Sequence, residues 1–157
     1  MPWLIGRRRL ALAFALGAGA ALGQAPWGLW PLTLVAMAGV TALVARATTS
    51  RSAFAVGLAA GTGHFALALS WIVEPFLIDI TAHGWMAPFA VVLLSSGLGL
   101  FWGAAAALAR QTRTPAVGFV ASFIALEWLR GVILTGFPWA MLGHVWIGTP
   151  FDQLAAL

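Results

Sequence analysis

Long apolar runs alternate with short polar breaks along the whole chain. The runs cover approximately residues 10–24, 31–46, 53–73, 86–109 and 115–134, and the breaks read QAPWGLWP, RATTSR, VEPFLIDITAHGW and RQTRTP. Glycine, proline and charge in those breaks are turn signals. A helix needs about 20 apolar residues to cross a hydrocarbon core about 30 Å thick. The pattern therefore predicts an all-α integral membrane protein, a bundle of about five transmembrane helices filling a single domain over 1–157. The first two runs are short, so they either tilt little or form a hairpin partly in the interface. Alternation of period two is absent, which argues against a transmembrane β-barrel.

Composition sharpens this picture. The chain is 62% hydrophobic and 8% charged, against about 45–50% and 25% in soluble domains. It has no cysteine, no lysine and no tyrosine. A disulfide framework, a thiolate metal site, a thiol nucleophile and a lysine Schiff base are all excluded within it. The net charge of +4 does not point to nucleic acid, because the arginines do not gather on one face.

Their placement has another logic. Arg7, Arg8 and Arg9 precede the first run, Arg46 and Arg51 lie between the second and third, and Arg110 and Arg113 lie between the fourth and fifth. Five alternating crossings put all of them on one side, which the positive-inside rule makes cytoplasmic. The opposite loops hold Trp27, Trp30, Trp71, Trp85 and Trp139 with Glu74 and Asp79, as an interfacial aromatic belt would. The start, RRRLALAFALGAGAALGQA, also fits a cleaved signal peptide. Retention as a first helix is the preferred reading because further spans follow.

Small residues four apart mark contact faces between helices in lipid. Gly19 and Gly23, then Ala53, Gly57 and Gly61, then Gly99 and Gly103 fit that spacing. His64 shares the Gly57/Gly61 face and should point into the bundle, as a buried polar residue or a proton relay. Asp79 and His83 have the i, i+4 spacing of a metal pair, but the loop has Pro75 and no second histidine. Solvated charges or headgroup contacts are the simpler reading, and no metal is expected.

The richest stretch is LEWLRGVILTGFPWAMLGH, residues 126–144. Glu127 and Arg130 are three apart and project from one face of the fifth helix. Each costs about 2.5–3.5 kcal/mol at the bilayer midplane and less near the interface. Pairing and an inward orientation offset that cost. The pair is expected either to pin this helix to the next element or to line a polar mouth for a lipid headgroup or a partner domain. Gly136 and Pro138 end the helix, and Phe137 and Trp139 should sit at its rim as interfacial anchors.

This stretch resembles the signature of bacterial apolipoprotein N-acyltransferases, E-[WFY]-LRG-x-x-x-TGFPW-x-x-x-G. Glu127, Leu129, Arg130, Gly131, Thr135, Gly136, Phe137, Pro138, Trp139 and Gly143 stand at matching positions. APWGLWP resembles the family's A-P-x-x-x-W-P hairpin through Ala25, Pro26, Trp30 and Pro31, and LSWIVEPF with HGWMAPFAVVLL resembles its third span, outer loop and fourth span. His144 departs from the pattern, where tyrosine is common.

The resemblance implies a multi-pass protein of the bacterial inner membrane, with further spans and a periplasmic nitrilase-like domain. It implies acyl transfer from a phospholipid donor to the N-terminal diacylglyceryl-cysteine of a lipoprotein acceptor. It further implies a reaction by way of a cysteine thioester, with a glutamate base and a lysine at the oxyanion, and no cofactor. With no Cys or Lys, the triad is expected to lie outside this stretch. FDQLAAL reads as the start of a sixth span of a longer protein, and this part alone is expected to be inactive. Glu127, Arg130, Phe137, Trp139 and His144 are the expected lipid-facing or domain-contact residues, and His64 the interior polar one. Two other readings stay open. One is a small transporter or channel subunit with His64, Glu127 and Arg130 as a polar path. The other is a non-catalytic membrane scaffold for another enzyme, such as a glycosyltransferase.

Overall fold

The computed structural model describes residues 2–133 and 139–153. Five long helices carry it: α1 (Pro2–Ala21), α2 (Trp30–Ala45), α3 (Ser50–Ala68), α4 (Ala87–Ala109) and α5 (Pro115–Ile133). Short helical turns fill 70–86, and a 3-10 turn, Leu142–Trp146, follows α5. Sequence neighbours run antiparallel. Thr33 meets Ala20 while Arg9 bonds the Leu43 carbonyl, and Ser122 meets Ala105 while Trp102 meets Glu127. The termini of α1, α3 and α5 therefore alternate with those of α2 and α4. Arg7–Arg9, Arg46, Arg51, Arg110 and Arg113 share one end of the bundle, and the 22–29, 70–86 and 139–153 segments share the other.

Among the described residues, two helices are long and apolar enough to cross a membrane. One is the stretch Ile80–Ala109 with a mean hydropathy of 1.9, the other Pro115–Ile133 at 1.6. A third span results if Ser50–Ala68 and Ser70–Leu77 count together across their 63° bend. α1 carries the three arginines within its helix, so only Leu10–Ala21 is uninterrupted apolar helix. The sixteen residues of α2 rise about 24 Å, short of the hydrocarbon thickness. The helix expected to end near residue 134 is described as far as Ile133. Of the expected start of a sixth span, Phe151–Gln153 form a turn and Leu154–Leu157 lie outside the described residues.

α3 is the central helix, packed against both α1 and α4. Glycine makes this possible by letting backbones touch. A Cβ on Gly57 would stand 2.3 Å from the Trp102 carbonyl oxygen, and one on Gly61 would stand 2.8 Å from Gly99 Cα. Around these contacts Val56, Ala60, Phe65, Leu98, Trp102 and Ala106 close a core. By contrast, a Cβ on Gly19 would meet nothing within 4 Å.

The tight α2–α3 connection depends on local capping. Thr49 Oγ1 accepts from the Ser52 amide at 3.1 Å, and Ser52 Oγ accepts from the Thr49 amide at 3.3 Å. This reciprocal box satisfies two amides at the α3 N-terminus. Thr49→Ala should lower stability by about 1 kcal/mol, read as a lower unfolding midpoint in detergent. An unchanged midpoint would mean solvent replaces the cap without loss.

Candidate functional site

Glu127 and Arg130 lie one turn apart on α5 and are buried, with Arg130 0% exposed. Arg130 Nη2 donates to both carboxylate oxygens at 3.0 Å, and Nε donates to Oε1 at 3.1 Å. The guanidinium Cζ lies 4.9 Å from the Phe65 ring centroid, within cation–π range. Glu127 also accepts from the Trp102 indole at 3.3 Å and from the Leu142 amide at 3.2 Å. A buried ion pair is tolerated only when its geometry is good and its remaining valences are filled. Both conditions are met here.

The cluster fastens the segment that follows α5. Arg130 Nη1 donates to the Trp139 carbonyl. His64 Nε2 lies 3.3 Å from the Ala140 carbonyl oxygen, so that nitrogen carries the proton, because a carbonyl only accepts. Gln24 Nε2 donates to the Met141 carbonyl at 3.0 Å, and Leu142 donates to Glu127. Four successive backbone groups are thus tied by side chains from α5, α3 and the α1–α2 loop. Ala140 sits at φ 41°, a left-handed conformation that a non-glycine residue adopts only when its surroundings impose it. His64 stacks on Trp102 at 5.0 Å, which joins it to the Glu127 shell.

Two cavities adjoin this segment. One of about 1030 Å³ lies between α2 and α5, lined by Thr33, Met37, Phe123, Glu127 and His144 among others. The second, about 390 Å³, is lined by Gln24, Pro26, Gly28, His144 and Ile147. Neither is lined by His64 or Arg130. His144 belongs to both. It is half-buried, and that burial, then the Arg130 charge, holds its imidazole below the ordinary histidine range, with Glu127 opposing.

The structure thus brings Glu127, Arg130, His64 and the Trp139 carbonyl into one cluster, with His144 beside it. Phe137 lies outside the described residues, as do Thr135, Gly136 and Pro138. Asp79 is committed locally. It caps the turn Ile80–His83 by accepting from Thr81 at 2.8 Å and the Ala82 amide at 3.1 Å. Those bonds hold its carboxyl below the usual range. Among the described residues, no group of three His, Cys, Asp or Glu side chains gathers to hold a metal ion. Sequence reasoning missed Gln24, Phe65 and Trp102. A lone amide in an otherwise apolar hairpin turn was a usable signal for Gln24; the two aromatics carried none.

Residues 16–157 match the model of the family described as apolipoprotein N-acyltransferase N-terminal domain. The apolipoprotein N-acyltransferase of Caulobacter vibrioides is 46% identical over 155 residues, an alignment covering 94% of this chain and 29% of that protein. Those of Rhizobium etli and Brucella melitensis are each 34% identical, covering 96% and 94% of this chain and 31% and 30% of theirs. The chain therefore spans under a third of the length of these relatives. By that match, the chain belongs to the apolipoprotein N-acyltransferase family and carries its N-terminal domain.

Proposed function

We propose that this chain is the membrane domain of an enzyme that moves an acyl chain from a phospholipid to the diacylglyceryl-cysteine of a lipoprotein. Its helices are embedded in the bacterial inner membrane, with its arginine end in the cytoplasm. Its own residues supply anchoring and lipid access. The thiol and amine of the reaction come from outside it, since it has neither Cys nor Lys. Glu127 and Arg130 brace the exit from α5 by fixing the segment that leads away from it. Phe137 and Trp139 contact acyl chains or the catalytic domain at the interface, and His144 contributes to the lipid-facing wall. The observation that carries this reading is the fastening of Trp139–Leu142 by buried side chains from separate parts of the chain. Such a fastening suits a rigid mount.

The test is in cells depleted of their own N-acyltransferase. The gene carrying this sequence should restore the third acyl chain on a lipoprotein N-terminal peptide, read by mass spectrometry. Glu127→Ala in that gene should reduce the triacylated fraction or the amount of membrane-inserted protein. If the gene leaves the peptide diacylated despite normal insertion, the proposed activity is wrong. If Glu127→Ala changes neither triacylation nor yield, the brace is wrong.

A further inference from the structure

The loops RATTSR and RQTRTP alternate arginine with hydroxyl side chains, and the fold brings them together. α3 and α4 pack antiparallel, with Gly57 against Ala106 and Gly61 against Gly99 and Trp102. One helical turn further on, the same register sets Ala53 level with Arg110 and Ser50 level with Arg113. The capped N-terminus of α3 therefore lies beside the α4–α5 loop, where α5 also begins. The positive ends of two helix dipoles add to the arginine charge there. No carboxylate side chain answers it. Of the chain's four acidic residues, Glu74, Asp79 and Asp152 lie at the opposite end and Glu127 is buried beside Arg130. Arg46, Arg51 and Arg113 are exposed, and Thr48, Ser50 and Thr114 present exposed hydroxyls among them. Arg110 carries the strongest signal. Its Nε is buried and, among the described residues, has no hydrogen-bond partner, a costly state for a charged donor.

We infer that the Arg46–Arg51 and Arg110–Arg113 loops together bind the phosphate of an anionic phospholipid in the cytoplasmic leaflet. Guanidinium forks and hydroxyls without a competing carboxylate suit an oxyanion. The oxyanion belongs to a lipid because apolar surface begins about one helical turn from the arginines. Leu108 precedes Arg110 by two residues, Val117 follows Arg113 by four and Leu12 follows Arg9 by three; they are 45%, 66% and 50% exposed. A phosphate held there lies at headgroup depth, with its acyl chains beside those side chains. A nucleic acid or an acidic protein would need the arginines to stand clear of the hydrocarbon. Positive-inside sorting explains which side the arginines occupy, but not a buried, unmatched Nε. Phosphatidylglycerol, with its net negative charge, is held more tightly than phosphatidylcholine, whose choline offsets its phosphate. The site is at the opposite end from the Trp139–Leu142 segment, so this lipid is not the acyl donor. The inference rests on the cytoplasmic placement of the arginine end proposed above, not on the acyl-transfer chemistry.

The test uses the product of the full gene, purified in mild detergent, so that any carboxylate elsewhere in it is present. Native mass spectra with phosphatidylglycerol and phosphatidylcholine of equal chain length give the two affinities. Phosphatidylcholine reports lipid held by its chains alone. Phosphatidylglycerol should bind severalfold more tightly, and the preference should shrink as the ammonium acetate concentration rises. Arg110→Gln and Arg113→Gln should each weaken phosphatidylglycerol by about fivefold and leave phosphatidylcholine unchanged. Should they fail to fold, Arg46→Gln and Arg51→Gln remove the other side of the site with the same expected loss. Arg8→Gln, exposed at the same end but outside the two loops, should cost less. Inorganic phosphate, a short RNA and an acidic peptide should not displace the lipid. Three results would overturn the inference: no preference in wild type, an equal loss in Arg8→Gln and the loop variants, or displacement by any of those competitors. The side on which an N-terminal tag is accessible in cells is scored separately. A tag on the outer side defeats the orientation and is told apart from a correctly placed chain that shows no preference.

Discussion

Arg130→Leu should destabilise the chain by about 3–5 kcal/mol, the loss typical of leaving one partner of a buried ion pair unmatched. The substitution keeps the apolar bulk and removes three hydrogen bonds to Glu127, the bond to the Trp139 carbonyl and the contact with Phe65. Among the described residues, Glu127 would keep the Trp102 indole and the Leu142 amide, too little for a buried carboxylate. The double variant Glu127→Leu/Arg130→Leu removes both charges and should recover much of the loss, since apolar replacement of a buried pair is often close to neutral. Unfolding midpoints of wild type, the two single variants and the double variant give the coupling. Additive losses would show that the two charges are held independently of each other. Release of the Trp139–Leu142 segment should accompany the single losses. The chain has no cysteine, so a reporter cysteine placed on that segment would show the release as faster labelling by a water-soluble maleimide.

Much of this architecture is legible in the hydrophobic pattern, and the reason is physical. In lipid the backbone must satisfy itself, so apolar runs become helices and charge collects at their ends. The five long helices, the shared arginine end and the inward face of His64 all follow from local spacing. Glu127 and Arg130 meet because three residues separate them on one helix. Other parts of the cluster depend on distance in space. Gln24 meets Met141 across 117 positions, and Trp102 meets Glu127 across 25. No periodicity within either segment encodes such a meeting. Ala140 holds a left-handed backbone without the glycine that normally advertises one. The small-residue spacing was informative for α3 and α4 but ambiguous for α1, where glycine and alanine are so dense that several registers fit.

That ambiguity leads to an expected reversal of sign within one helix. Gly17→Ala should destabilise the bundle, while Gly19→Ala two residues later should leave it unchanged or slightly more stable. A Cβ on Gly17 would stand 1.8 Å from the Ala60 carbonyl oxygen and 2.6 Å from its carbon. The obstacle is backbone, so no side-chain rotation relieves it, and α1 must move off α3. Gly63 makes the reciprocal approach, with a Cβ there 2.1 Å from the Phe14 carbonyl oxygen, so the separation would spread along the crossing. Overpacking costs about 1–3 kcal/mol in ordinary cores. In lipid the loss should reach the top of that range, because van der Waals contact between helices supplies much of their association. At Gly19 the same methyl group meets open space, and alanine is a better helix former than glycine by about 0.8–1.0 kcal/mol. The opposing shifts in unfolding midpoint are the signature of a face-specific contact. Equal shifts would place the α1–α3 contact elsewhere. A loss at Gly17 should also expose the ties below it, because His64 lies one residue beyond Gly63 on the helix that would be displaced. Its bond to Ala140 should weaken, and the reporter cysteine that detects loss of Arg130 should label faster in Gly17→Ala and not in Gly19→Ala.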